Sequence, residues 1–203
     1  MIKKIPEEFI KRGIGDLLSN LSAVLDWGLA NLEQNERIDI YAKNISYNSA
    51  INILYNFKIG KYSSIKDENL IKDLFNGLIM SAVAMIIAKT SRPASGAEHN
   101  ISHALDRLGV VKLHGIQVGY ATLFTLYLHK NNRFLTDILK FYKFIEFPIS
   151  IQELNLNKES LLKAIKLAPN IRERYTILNK YSQIEIIQEW KKFVIDLQEN
   201  RIV

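Results

Sequence analysis

Hydrophobic residues recur along most of the chain at the three- and four-residue intervals that place them on one face of an α-helix. Within 16–32, apolar side chains stand at positions 17, 18, 21, 24, 25 and 29. The same periodicity predicts further helices over 37–57, 67–89, 98–107, 112–128, 131–146, 158–168 and 183–198. No stretch alternates apolar and polar residues for long enough to predict a strand. We therefore expect an all-α fold, a helical bundle that residues 1–203 form as a single domain.

Glycine and proline residues mark the predicted helix ends. We interpret the GIG sequence at 13–15 as a tight turn that delivers Asp16 to the start of the first helix. Pro93 lies just beyond a helix end, because proline disfavours α geometry in the residue ahead of it. Ser95 is the predicted N-cap of the next helix, and Gly109 is expected to end that helix.

Composition narrows the class of protein. The chain has 203 residues, of which 48% are hydrophobic, so it can form a sizeable core. It contains no cysteine, which excludes disulfides, thiolate metal ligands and a cysteine nucleophile. Lysine and arginine outnumber the acidic residues by 27 − 21 = 6, which permits an anionic ligand. No basic helix face carries interleaved aromatic residues, so we expect no nucleic-acid binding.

Two apolar runs, 78–88 and 120–128, are shorter than the roughly 20 residues that a membrane-spanning helix needs. We expect both runs to lie in buried helices, and we predict no membrane span. The amino terminus is too polar for the apolar core of a signal peptide. These features predict a cytoplasmic protein.

Three of the four histidines lie within sixteen residues, at His99, His103 and His114. His99 and His103 are four residues apart and share one face of a helix, and His114 opens the next helix. Together with a carboxylate from elsewhere, two such histidines would form the three-ligand set of a catalytic zinc-type site. Spacing alone leaves open the alternative that they are packing residues. His129 is expected at an exposed helix end, without a role.

The segment TSRPASGAEHNISH, at 90–103, adds features suited to a phosphate monoester. A helix that begins after Ser95 directs backbone N–H groups toward a ligand, and Arg92 adds a cation. The alternative is a capped helix with a surface arginine. The GIG sequence does not form a dinucleotide-binding loop, because Leu18 replaces the third glycine and no predicted strand precedes it.

Taken in order, GIGDLLSN…LDW, SRPASGAEHNISHALD, KLHGIQVG and RERYTIL resemble the glycerol-1-phosphate dehydrogenases. That family belongs to the superfamily of dehydroquinate synthases, glycerol dehydrogenases and iron-type alcohol dehydrogenases. The likeness runs from about Phe9 to Leu178. Members have a nicotinamide-binding α/β half followed by an all-α half that carries the metal, and this chain resembles only the second half. We therefore expect no nucleotide-binding domain in this chain.

The resemblance implies one divalent metal held by Asp16, His99 and His114, which are also the implied catalytic residues. Zinc is the preferred ion, and nickel and iron remain alternatives. Asp16, His103 and Arg92 are the implied substrate contacts.

The implied reaction is reversible hydride transfer between NAD(P)H and dihydroxyacetone phosphate, which gives sn-glycerol 1-phosphate for phospholipid metabolism. A separate nucleotide-binding half would supply the NAD(P). Ile116 replaces the acidic residue that commonly follows LHG in the family, so we expect altered hydrogen bonding around the ligands rather than metal loss. We also expect an exposed apolar patch that favours a homo-oligomer. The alternative function is a catalytically inactive helical binding or interaction module that retains the fold and the metal site.

Overall fold

The computed structural model of this chain describes residues 5–110, 113–199, 201 and 202, and within those ranges it contains nine α-helices and no strand. The helices are α1 Glu7–Leu18, α2 Asn20–Gln34, α3 Ile40–Lys58, α4 Glu68–Ala88, α5 Ala97–Arg107, α6 His114–Leu128, α7 Asn132–Phe144, α8 Lys158–Leu167 and α9 Gln183–Gln198. Short 3₁₀ turns cover Arg92–Ala94, Ala168–Asn170 and Ile177–Lys180. The predicted all-α fold is confirmed, although the start predicted at Lys112 lies outside the described residues.

Helix α6 forms the centre of the core. Every residue from 118 to 126 is buried, and the helix packs against α1, α5, α7 and α9. Phe124 of α6 lies against Phe193 of α9, with ring centroids 5.5 Å apart. The prediction that the apolar run at 120–128 is a buried helix is therefore confirmed for most of its length.

Helix α4 differs from the expectation for the other apolar run. It packs mainly against α3, and Phe75, Ile79 and Ile86 on its other side are 53%, 59% and 75% exposed. Burial therefore explains only one side of this helix. Among the described residues, α4 alone is long and apolar enough to cross a membrane by length and composition, a criterion that many core helices also meet.

The GIG sequence forms part of helix α1 and not a turn. Gly13, Gly15 and Asp16 all lie inside α1, which ends at Leu18. The predicted tight turn is therefore wrong, and Asp16 lies near the end of a helix instead of at its start. Gly15 serves helix packing instead of a turn, because a Cβ there would collide with the carbonyl oxygen of Gly115 in α6. Glycine at this position lets the backbones of α1 and α6 approach closely.

The start of α5 also differs from the prediction. Gly96 occupies the N-cap position, and the Ser95 side chain does not cap the helix. The predicted end is confirmed, since Gly109 follows α5 with a φ of 75°, a left-handed conformation that glycine adopts without strain.

Candidate metal centre

The close contact of α1 with α6 brings two predicted ligands together from distant parts of the sequence. Asp16 follows Gly15 in α1, and His114 precedes Gly115 in α6. The first turn of α5 supplies His99. Three helices thus meet at one point, and each contributes one candidate ligand.

The side chains of Asp16, His99 and His114 converge there. The Oδ1 atom of Asp16 lies 3.4 Å from Nε2 of His99 and 4.0 Å from Nε2 of His114. One ligand atom from each of the three residues falls within 4.8 Å of the other two. The side chains of Asp16 and His114 are 44% and 45% exposed, so the cluster is open to solvent on one side. The convergence expected from the sequence is present.

Glu98 orients the ring of His99. Its buried carboxylate lies 3.0 Å from Nδ1 of His99 and accepts hydrogen bonds from the Ser22 hydroxyl and the Gly96 amide. An ionised carboxylate only accepts hydrogen bonds, so the proton of a neutral His99 resides on Nδ1. The lone pair of Nε2 then faces Asp16. A carboxylate behind a histidine ring is a common arrangement at protein metal sites.

A chain of neutral groups orients His114 in the same way. Nδ1 of His114 lies 3.1 Å from the Ser102 hydroxyl, which donates its own hydrogen to the side-chain oxygen of Gln117. The Gln117 amide donates in turn to the carbonyl of Val110. Because Ser102 has used its only proton, it accepts one from Nδ1 of His114. Nε2 of His114 is therefore unprotonated and also faces Asp16.

The electrostatics favour a positive charge at the convergence point. Burial alone would lower the pKa of His99, but its contacts with Asp16 and Glu98 raise that pKa to about 9. Burial would raise the pKa of Asp16, and the neighbouring His99 and His114 lower it instead. The pKa values of His103 and His114 are lowered, mainly by burial. With a pKa near 9, His99 carries this positive charge itself near pH 7 in the metal-free protein, and a metal ion bound at Nε2 would replace that proton.

The structure places His103 beside the cluster. Its ring centroid lies 6.3 Å from that of His99 and 5.8 Å from that of His114. Its side chain is 42% exposed, and its nearest carboxylate is that of Asp106 at 3.9 Å. His103 can therefore reach a molecule that binds at the cluster.

Arg92 is engaged elsewhere. Its side chain is buried, two of its nitrogens donate to the carboxylate of Glu36, and the third donates to the carbonyl of Tyr175 at 2.8 Å. All three guanidinium nitrogens thus bind the protein itself. The substrate contact expected of Arg92 stays a prediction that this geometry does not support.

The amino terminus of α5 does not offer a free anion site. The Ala97 amide donates to the carboxylate of Asp26 at 2.7 Å, and the Gly96 amide donates to that of Glu98. The protein's own carboxylates therefore occupy the position that we expected a phosphate to take. Asp26 also accepts from Nε2 of His129 at 2.9 Å, so the prediction of an exposed His129 without a role is wrong. His129 helps to hold α2, α5 and α6 together.

Four side chains in or beside α5 were not predicted from the sequence: Glu98, Ser102, Arg172 and Arg174. Arg172 donates to Asn100, the residue after His99, and both arginines donate to Ser95. Three of them could have been found from the sequence, because Glu98 directly precedes a candidate ligand and both arginines lie in the RERYTIL sequence.

Comparison with known proteins identifies relatives of this chain by sequence. No protein-family model matches the chain. Glycerol-1-phosphate dehydrogenase [NAD(P)+] of Pyrococcus horikoshii is 41% identical over 183 residues, which cover 89% of this chain and 51% of that protein. The proteins of the same name from Thermococcus sibiricus and Pyrococcus abyssi are 40% and 41% identical over 182 residues, with the same coverage.

The chain thus spans about half the length of the curated relatives that it matches. The matched residues cover 89% of this chain, which is consistent with its corresponding to the carboxyl-terminal part of those proteins. The resemblance seen in the sequence is confirmed: over 89% of its length this chain is similar to the glycerol-1-phosphate dehydrogenases, and it spans about half of such a protein.

Proposed function

We propose that the chain is the metal- and substrate-binding part of an NAD(P)-dependent oxidoreductase that interconverts dihydroxyacetone phosphate and sn-glycerol 1-phosphate. One observation carries the proposal: the Nε2 atoms of His99 and His114 both face Oδ1 of Asp16, while hydrogen-bond partners hold their Nδ1 atoms from behind. The names of the homologous proteins support the reaction.

These residues suit a divalent metal. Two imidazole nitrogens and one carboxylate oxygen are the ligand set of many catalytic zinc sites, and nickel and iron accept the same atoms. We propose zinc, held by Asp16, His99 and His114. When bound, such a metal acts as a Lewis acid that polarises a substrate carbonyl.

The remaining chemistry follows from the chain's own side chains. Glu98 and Ser102 keep the two ligand histidines in one orientation. His103 stands at the open side of the cluster with a lowered pKa, so it is neutral near pH 7 and can donate or accept a hydrogen bond at a substrate hydroxyl. The hydride comes from a nicotinamide, which we propose is held by a nucleotide-binding half outside these 203 residues.

Metal titration of the chelator-stripped chain tests the site. We expect one Zn²⁺ per chain, with binding strongly weakened in His99→Ala and His114→Ala. His129→Gln is the matched control, because it removes an imidazole outside the cluster and keeps an N–H donor for Asp26. Unchanged binding in both ligand variants, or equal loss in all three, would contradict the proposed site.

A complementation assay tests the reaction. Mixed with, or fused to, the nucleotide-binding half of a relative, the chain should reduce dihydroxyacetone phosphate with NAD(P)H, and Asp16→Ala should abolish turnover. Stoichiometric metal binding without turnover in that assay would favour the alternative, a helical binding module that has kept its metal site.

A further inference from the structure

A cavity of about 380 Å³ lies between α6, α9 and the segment that joins α7 to α8. Its volume falls within the range of about 300–1,000 Å³ that is usual for pockets holding small organic ligands. No residue of the candidate metal centre lines this cavity. The proposed function therefore leaves it without a role.

Apolar side chains form much of the cavity wall. Ile149 and Ile151 come from the segment before α8, and Val194 and Leu197 come from α9. All four are only partly buried by the chain itself, so each keeps apolar surface that a ligand can cover. These walls suit the hydrocarbon part of a ligand.

Two buried polar groups belong to the same wall. Tyr120 and Trp190 line the cavity and are 3% and 1% exposed. Burial raises the pKa of Tyr120 to about 12, so its hydroxyl keeps its proton near neutral pH. Trp190 opposes that rise, yet neither the hydroxyl nor the indole nitrogen reaches hydrogen-bond geometry with any described residue. The wall thus contains two donors for which the described part of the chain supplies no acceptor.

Two exposed lysines, Lys158 and Lys191, also line the cavity, and no acidic residue of the described ranges does so. Neither lysine forms an ion pair within the part of the chain that the structure describes. The acidic residues close to them in the sequence are bound to other groups: Glu153 to the amides of Ile149 and Ser150, Glu159 to Lys163, and Glu189 to Lys192. Two positive charges beside an apolar cavity are therefore left without a counter-charge.

We propose that this cavity binds an amphipathic anion, a small organic acid whose hydrocarbon chain fills the cavity and whose carboxylate is attracted by Lys158 and Lys191. The apolar walls account for the chain, and the uncompensated charges and free donors account for the acid. Because both lysines are exposed, their attraction is modest and is screened by salt, so most of the affinity comes from the buried chain. The site is separate from the candidate metal centre, and the inference does not depend on the proposed dehydrogenase reaction.

NMR titration of the full chain with sodium octanoate tests this site. The chain has two tryptophans, and the indole N–H of Trp27 donates to the carbonyl of Arg37, outside the cavity. We expect octanoate to move the indole resonance of Trp190 and to leave that of Trp27 in place. Hexanoate, which is two methylene groups shorter, should bind about 15-fold more weakly, because each buried methylene group strengthens binding about fourfold.

The role of the lysines is tested in the double variant Lys158→Gln/Lys191→Gln. It should bind octanoate about fivefold more weakly than wild type and bind the uncharged octanol equally well. Lys72→Gln/Lys89→Gln is the matched control, because it removes the same charge from two exposed lysines in and directly after α4, a helix that does not line the cavity. This control should bind octanoate like wild type.

A blocking substitution tests the cavity itself. Val194→Trp should fill it and abolish binding of both octanoate and octanol, whereas Ile184→Trp, at a position of α9 that is 72% exposed, should leave binding unchanged. Circular dichroism establishes that each variant is folded. An unmoved Trp190 resonance at saturating octanoate, equal affinity for hexanoate and octanoate, or equal loss in both lysine variants would each overturn the proposal. A response to anionic phospholipid vesicles but not to free octanoate would also overturn it, because that result would indicate a membrane-binding surface.

Discussion

Replacing Glu98 by glutamine probes the orientation of the candidate metal centre. The fully buried carboxylate binds His99 through Oε1 and receives the Ser22 hydroxyl at Oε2, 2.7 Å away. A glutamine with its oxygen at the Oε1 position keeps the contacts with Gly96 and His99, and its NH₂ group can donate to the Ser22 oxygen, whose own hydrogen can go to the Ser19 carbonyl at 2.9 Å. The substitution therefore removes mainly the negative charge.

The expected effect is on metal binding more than on folding. Mutation of the group that hydrogen-bonds a metal-ligating histidine typically weakens metal affinity by about 10–100-fold, which is about 1.4–2.7 kcal/mol. The folding cost should stay near that of one weakened buried hydrogen bond, about 1 kcal/mol. Competition with a chromophoric zinc chelator measures the affinity, and thermal unfolding measures the stability. Glu33→Gln, at an exposed ion pair with Lys180, is the matched control and should change neither quantity measurably.

A second readout separates an electrostatic role from simple packing. Because the Glu98 charge helps to raise the pKa of His99, Glu98→Gln should lower that pKa from about 9 in the metal-free protein. NMR titration of the imidazole follows this change. Zinc affinity within twofold of wild type, together with an unchanged His99 pKa, would refute the role assigned to Glu98.

Three further substitutions test the fold around the centre. Gly15→Ala should destabilise the protein by about 1–3 kcal/mol and weaken zinc binding, because a Cβ there forces α1 and α6 apart. Gly13→Ala is the control, since a Cβ at that position meets only flexible leucine side chains. It should leave the thermal stability unchanged or raised and the zinc affinity unchanged. His129→Ala should lower the free energy of unfolding by about 1–3 kcal/mol by denying a buried carboxylate one donor, with zinc stoichiometry unchanged. Asp67→Ala should cost about 1 kcal/mol through loss of the α4 N-cap. Hydrogen bonds lower the pKa of Asp67. The stabilisation by the Asp67 carboxylate is therefore fully present above the ordinary aspartate pKa and is lost as pH falls through the lower folded-state value. If urea unfolding gave the same loss of stability in Asp67→Ala at pH 7 and at pH 2, this pH dependence would be contradicted.

The parts of the fold that depend on local pattern were predictable. Amphipathic spacing located α2 to α9, which present local stripes of apolar residues to the core, but it did not predict α1. The exposed side of α4 was not predictable in this way, because hydrophobicity alone does not say which faces a neighbouring helix covers. Ile79 and Ile86 are as apolar as buried residues of the same helix, such as Leu70 and Leu74.

The role of Gly15 depends on a helix about 100 residues later in the sequence. A glycine pair before an aspartate suggests a turn locally, and only the contact with Gly115 shows that it serves helix packing. The role of Arg92 could not be predicted from its neighbours in the sequence either, because its guanidinium group pairs with Glu36, which lies far away in the sequence.

The candidate ligands could be identified from the sequence through the family resemblance, which joined Asp16 to His99 and His114. The side chains that orient them could be found only in part. Glu98 is adjacent to His99 in sequence, but Ser102 and Gln117 reach His114 through a chain of contacts that spacing does not reveal. Arg172 reaches Asn100 of α5 from the segment after α8.

An anomalous difference map from crystals of the chain grown with one equivalent of Zn²⁺ tests the metal centre most directly. We expect a single zinc peak about 2.0–2.2 Å from Nε2 of His99, Nε2 of His114 and a carboxylate oxygen of Asp16. Crystals of His99→Ala should lose that peak. A zinc peak elsewhere, or no peak among these three residues at saturating Zn²⁺, would contradict the assignment of this cluster as the metal site.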